Sequence, residues 1–229
     1  MRKFKARLIL LIFFGICCGA SAQITRSNGT YLFRLKFAKG EKFHFLAPTS
    51  VTGLTPKPFH MQLDFYLRVL KVKGGRNTLK GTLKTQHTGS LGGQVNSAIF
   101  QVDSLGRVTG TNTGLSGMVV VYPKHALKLG ESFKSPVASF TGSSSELPSK
   151  SPPNLTTQLA SFTFKGWSTY NHVICALITF RSSKSSDARG YMLISSKDGL
   201  AEKYVTTFVL NFEASKVIRI RSTIVRQTR

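Results

Sequence analysis

Long stretches of this chain alternate apolar and polar residues with a period of two. Tyr31, Phe33, Leu35 and Phe37 interleave with Leu32, Arg34, Lys36 and Ala38. Met61, Leu63, Phe65, Leu67 and Val69 do the same with His60, Gln62, Asp64, Tyr66 and Arg68, and Ile218, Ile220 and Ile224 with Val217, Arg219, Arg221 and Thr223. Successive side chains of a strand point to opposite faces, so these runs predict strands with one packed face and one wet face. Their Val, Ile, Thr, Phe and Tyr content suits strands. A purely parallel sheet would read as unbroken apolar runs, which favours antiparallel pairing. After the N-terminal segment no stretch carries a helical repeat of three turns. The predicted fold is all-β: long antiparallel strands in one curved sheet, a half-barrel or a sandwich.

Turn residues divide the pattern. Gly74-Gly75 between Lys73 and Arg76 predicts a two-residue hairpin joining strands over 58–72 and 77–87. Asp103-Ser104-Leu105-Gly106 and Lys197-Asp198-Gly199-Leu200 are further turn signals. Residues 142–154 are rich in Ser and contain Pro148, Pro152 and Pro153, which cannot donate to a ladder, so this segment predicts an exposed connector. It separates two similar halves, 30–140 and 155–227. Gly40-Glu41-Lys42-Phe43 is echoed by Gly130-Glu131-Ser132-Phe133, each followed by two long strands and a turn containing Asp and Gly.

The first 22 residues read differently. Arg2, Lys3, Lys5 and Arg7 precede an apolar run from Leu8 to Cys18, and Ala20-Ser21-Ala22 then precedes Gln23. A basic start, a short apolar core and small residues at the cleavage point predict a secretory signal. The run is shorter than the roughly 20 residues of a bilayer-spanning helix. Cys17 follows Ile16 and Cys18 follows Cys17, a poor setting for lipid attachment. The expectation is a protein exported to the periplasm or beyond, one β domain over 23–229, with no transmembrane segment once the signal is gone.

Charge and cysteine content narrow the partners. The chain has 32 Lys and Arg against 9 Asp and Glu, a net +23 that falls to +19 when the four basic signal residues leave. Such an excess attracts anionic surfaces. With the signal removed, Cys175 is the only cysteine, so no internal disulfide is expected, and its run Val173-Ile174-Cys175-Ala176-Leu177-Ile178 predicts a buried, inert thiol.

The segments Phe37-Ala38-Lys39-Gly40-Glu41-Lys42-Phe43, Leu127-Lys128-Leu129-Gly130-Glu131-Ser132-Phe133, Phe164-Lys165-Gly166-Trp167 and Lys197-Asp198-Gly199-Leu200-Ala201-Glu202-Lys203 together resemble a family of exported bacterial β-rich proteins that carry a domain of unknown function. The resemblance spans most of 30–227 and implies an envelope or extracellular location. At the level of fold, a long curved sheet is also similar to the half-barrels of periplasmic lipoprotein carriers, which hold acyl chains.

Catalytic signatures are missing. Glu41 and Glu131 sit beside glycines at matched positions, and Asp103 and Asp198 are typical turn residues. Asp64, near Arg68 on a wet face, reads as a surface ion pair. His44, His60, His87, His125 and His172 lack ligand spacing, so no metal is expected, nor any cofactor. Gly114-Leu115-Ser116-Gly117 lacks the spacing of a nucleophile elbow. The residues therefore predict a non-enzymatic binding protein. Turning the apolar residues inward sends Arg34, Lys36, Lys80, Lys84, Arg219 and Arg221 to the outer face, with Arg226 and Arg229 in the tail; these would meet an anionic partner. Phe65, Phe162, Phe164, Phe208 and Phe212 turn inward, either to line an apolar ligand pocket or to fill a core. With few rings beside the basic residues, nucleic acid is an unlikely partner. The two functions left are binding of an apolar or anionic amphipathic ligand such as lipid, and a scaffold role in which a sheet edge or the cationic face docks to an envelope partner.

Overall fold

The computed structural model describes residues 24–53, 56–87, 94–110, 120–141, 154–182, 188–212 and 216–227. The predicted signal, the glycine-rich stretch 89–93 and nearly all of the connector lie outside the described residues. Among those described there are fourteen strands and no helix: β1 (Ile24–Ser27), β2 (Thr30–Phe33), β3 (Lys42–Thr52), β4 (Phe59–Lys73), β5 (Arg76–His87), β6 (Gln94–Asp103), β7 (Val108–Gly110), β8 (Leu127–Lys128), β9 (Ser132–Thr141), β10 (Asn154–Tyr170), β11 (Val173–Ser182), β12 (Arg189–Ser195), β13 (Ala201–Phe212) and β14 (Lys216–Arg226).

Eleven strands form one antiparallel, curved sheet in the order β7-β6-β5-β4-β3-β14-β13-β12-β11-β10-β9, and the sheet does not close into a barrel. It runs through both sequence halves without a break, because β3 of the first pairs with β14 of the second. The predicted hairpin is present: Gly74 and Gly75 both take positive φ, +56° and +77°, the conformation a two-residue turn needs to match strand twist. The echoed segments carry the same hydrogen bonds. Gly40 N–H donates to the Val69 carbonyl (3.0 Å) and Val69 N–H to that of Glu41 (2.9 Å); Gly130 and Phe164 N–H groups donate likewise to Phe164 (2.8 Å) and Glu131 (3.0 Å). Each turn thus docks immediately before a bulge, between Val69 and Lys71 in β4 and between Phe164 and Gly166 in β10.

The concave face is filled. Strands β1, β2 and β8 form a small second sheet, and its rings enter the curve of the large one: Tyr31 and Phe33 meet Phe164 edge-on at 5.2 and 5.4 Å, and Phe33 stacks on Tyr122 at 5.5 Å. Burying a Phe side chain fully stabilises by ~1.5–3 kcal/mol, and Phe33, Phe162 and Phe164 are all fully buried. One element departs from expectation. The alternation over 31–38 predicts a continuous strand, yet β2 stops at Phe33. Leu35 and Phe37 are still buried, but the Leu35 N–H donates to the Ser104 carbonyl (2.7 Å) and the Lys36 N–H to that of Asp198 (3.1 Å). This segment threads between the two Asp-containing turns and pins them together, so its alternation reflects burial without a ladder.

Candidate functional site

The inward aromatics belong to the core. Phe65, Phe162, Phe164 and Phe208 all lie in one buried cluster. Phe162 stacks between Phe133 at 5.5 Å and Phe180 at 5.3 Å. A cavity of about 20 Å³ lies beside this cluster, lined by residues including Leu35, Tyr122, Met192 and Tyr204 and by none of these four phenylalanines. It has room for about one water molecule. Phe212 ends β13, and its side chain lies outside the described residues.

The six predicted surface cations divide. Lys80 and Lys84 on β5, and Arg219 and Arg221 on β14, are exposed on the outer face. Arg34 and Lys36 are not on the sheet. Arg34 follows β2, where burial lowers its pKa, and its guanidinium donates to the carbonyls of Phe33 (2.6 Å), Pro123 (3.0 Å) and Lys124 (2.7 Å). Arg34 is a clamp on the 120s segment. Lys36 is exposed in the threading segment.

Register assembles cations that the sequence scatters. Residues directly opposite in neighbouring antiparallel strands share a face, with Cβ atoms about 5 Å apart. Lys42 lies opposite Arg68, and Arg68 opposite Lys80, so three exposed cations form one row across β3, β4 and β5. Like charges 5–8 Å apart repel by about 0.5–1 kcal/mol per pair even at water's dielectric constant. A second row crosses eight strands in the order Lys134, Ser161, Arg181, Arg189, Thr207, Arg221, Ser50 and His60. At about 4.8 Å per strand it extends roughly 34 Å.

Among the described residues no carboxylate is in register with either row. Of the six carboxylates among the described residues, four serve turns. Glu41 Oε2 accepts from Ala38 N–H (2.6 Å) and Glu131 Oε2 from Lys128 N–H (2.8 Å). Asp103 Oδ1 accepts from Leu105 and Arg107 (both 2.9 Å), and Asp198 Oδ1 from Leu200 (3.0 Å). Asp64 does face outward, but its partner is His44 at 2.9 Å and not the expected Arg68, and it is nearly buried. His44 also stacks flat on Tyr66 at 4.3 Å, and Lys84 Nζ lies 5.2 Å from the same ring. Beside Lys80, an open depression of about 320 Å³ is lined by Thr78, Ile99, Phe100, Gln101 and Thr109.

A buried charge cluster was missed by sequence reasoning. Arg226, expected in a basic tail, points into the fold. Its guanidinium lies 4.8 Å from the Phe43 ring, and its Nη1 donates to Asp198 Oδ2 (2.7 Å) and Glu202 Oε1 (2.9 Å). The three side chains are 19%, 10% and 6% exposed. Burial raises the Glu202 pKa, with Arg226 opposing the shift. Nearby Cys175 is fully buried, and burial together with Glu202 and Asp198 pushes its thiol up to about 11. Among the described residues no group of His, Cys, Asp and Glu is placed to hold a metal ion.

No family model matches the chain, and no curated protein matches it. The resemblance to an exported family of unknown function is therefore unsupported. Among solved structures, the chain is similar to the S-type phycobiliprotein lyase from Guillardia theta, at 6% identity and a TM-score of 0.36 over 84% of this chain and 89% of that one. Likeness at this level goes no further than a shared β-rich character. One expectation is nevertheless corrected. The matched protein is a lyase by name, so the prediction of a non-enzymatic protein is withdrawn.

Proposed function

We propose that this chain is an exported binding protein of the cell envelope that meets an anionic amphipathic partner through the outer face of its sheet. One observation carries the reading: this face aligns cations in two cross-strand rows, and among the described residues no carboxylate is in register with either. The side chains of Lys42, Arg68 and Lys80 make no hydrogen bond or ion pair among the described residues, so an outside anion would offset their repulsion. Polyanion binding would then draw on counterion release. The inward face supports the reading less, since its rings pack on one another. Docking through the β9 edge is also less favoured, because Pro136 interrupts its donors and Lys134 adds charge.

The test compares position against net charge. The mature protein is bound to vesicles containing anionic lipid and to a sulfated polysaccharide. Reversing Arg68, Lys80 and Arg221 to Glu is expected to weaken at least one interaction about tenfold more than reversing Lys39, Lys124 and Lys197, which lie in turns and loops. Equal losses, or no binding to either anion, would sink the proposal.

A further inference from the structure

We infer that the outer face of β3 to β6 is a docking patch for an anionic lipid bilayer, with Lys42, Arg68 and Lys80 at the phosphates and Val95 and Ile99 entering the acyl boundary. The inference rests on the anionic-partner reading above and names the partner and the site. Three observations meet at this patch. The first is the row of opposed cations without partners among the described residues. The second is apolar: Ile99 lies directly opposite Lys80, and Val95 opposite Lys84. Both point to the wet face, where Ile99 is 57% and Val95 63% exposed. The third is shape, since Ile99 lines the open 320 Å³ depression.

Cations beside large exposed aliphatic side chains match a bilayer interface, where phosphates lie over hydrocarbon. They match a soluble polyanion less well, because an aliphatic surface gains nothing from a sulfate or a sugar hydroxyl. Sugars and bases would favour an open ring, and the ring in this patch, Tyr66, is already occupied by His44 and Lys84. The only carboxylate here among the described residues, Asp64, is held by His44. The second cation row has no aliphatic residue in register with it: its in-register neighbours are Ser161, Thr207 and Ser50, and the exposed Leu159 only flanks it.

The experiment measures partition of the mature protein into phosphatidylcholine vesicles with and without roughly a third phosphatidylglycerol, beside heparin affinity. Neutralising a cation at the surface lowers partition roughly fivefold, so R68Q/K80Q is expected to lose about 25-fold on anionic vesicles. R189Q/R221Q, with the same charge change in the other row, should lose less than about threefold if that row stays clear of the bilayer. V95S/I99S is expected to weaken vesicle binding while leaving heparin affinity unchanged. All six positions are exposed, and retention of the wild-type β-sheet circular dichroism and melting point confirms that each variant is folded. Equal losses in R68Q/K80Q and R189Q/R221Q would overturn the patch and leave the anionic-partner reading standing. Heparin binding without vesicle binding would overturn the lipid. Binding to neither would overturn both.

Discussion

Replacing Arg226 with Met removes the only cation from a buried cluster and leaves Asp198 and Glu202 facing each other. In the native protein one guanidinium nitrogen serves both carboxylates, at 2.7 and 2.9 Å, and all three side chains are at most one-fifth exposed. Removing one partner of a buried pair costs about 3–5 kcal/mol, because the remaining charge has lost its water and gained nothing. Against a typical stability of about 5–15 kcal/mol the loss is large. At roughly 2–4 °C per kcal/mol for a domain of this size, R226M should melt about 6–20 °C lower near pH 7.5. The deficit must also depend on pH. Burial already raises the Glu202 pKa, and losing Arg226 raises it further. A carboxyl with a raised folded pKa binds its proton more tightly when folded, so it favours folding at low pH. That contribution is lost as pH rises from the unfolded value, about 4.3, through the folded one. R226M should therefore recover part of its stability at pH 5, and E202Q/R226M should recover part of it at pH 7.5. Urea unfolding at both pH values is the assay. A deficit under about 1 kcal/mol at pH 7.5, or one equal at both pH values, would refute the reasoning.

Other expectations concern single positions. Gly199 has φ of +74°, and an added Cβ would run into the Arg34 carbonyl oxygen; G199A should cost about 2 kcal/mol or more, whereas G74A, at positive φ in open space, should cost about 1 kcal/mol, by chemical denaturation. Cys175 should resist maleimide at neutral pH while the protein is folded and react once it is unfolded, since the thiol is buried and its pKa is pushed up to about 11. Protein recovered from the medium or periplasm of expressing cells should begin at Gln23 by N-terminal sequencing; a chain that still begins at Met1 would contradict the export reading.

How much was legible in the sequence depended on how local the signal was. The β4–β5 hairpin could be read because Gly74-Gly75 dictates its own turn. The antiparallel all-β class could be read because alternation over β4 and β14 is a property of each strand alone. Lys42, Arg68 and Lys80 could not be grouped in advance, because what joins them is register between strands, and the bulge after Val69 resets that register. Arg226 was misread for a related reason. Its side chain follows the inward parity of Ile218 and Ile220, but a charge at the end of a basic run looks solvated until Asp198 and Glu202 are brought to it by a different turn and strand. The segment 34–38 misled in the opposite sense: the alternation begun in β2 continued there, but burial between two turns produced it without a neighbouring strand.

A single labelled position separates docking through the outer face from mere stickiness of a basic protein. Because Cys175 is buried, a cysteine introduced as I99C can carry an environment-sensitive fluorophore alone, with I174C on β11, outside both cation rows, as the comparison. If the β3–β6 face meets a bilayer, the label at 99 shifts its emission to the blue on anionic vesicles, the shift disappears at high salt and on neutral vesicles, and the label at 174 stays unchanged. An unchanged label at 99 on anionic vesicles, or equal shifts at both positions, would contradict docking through this face.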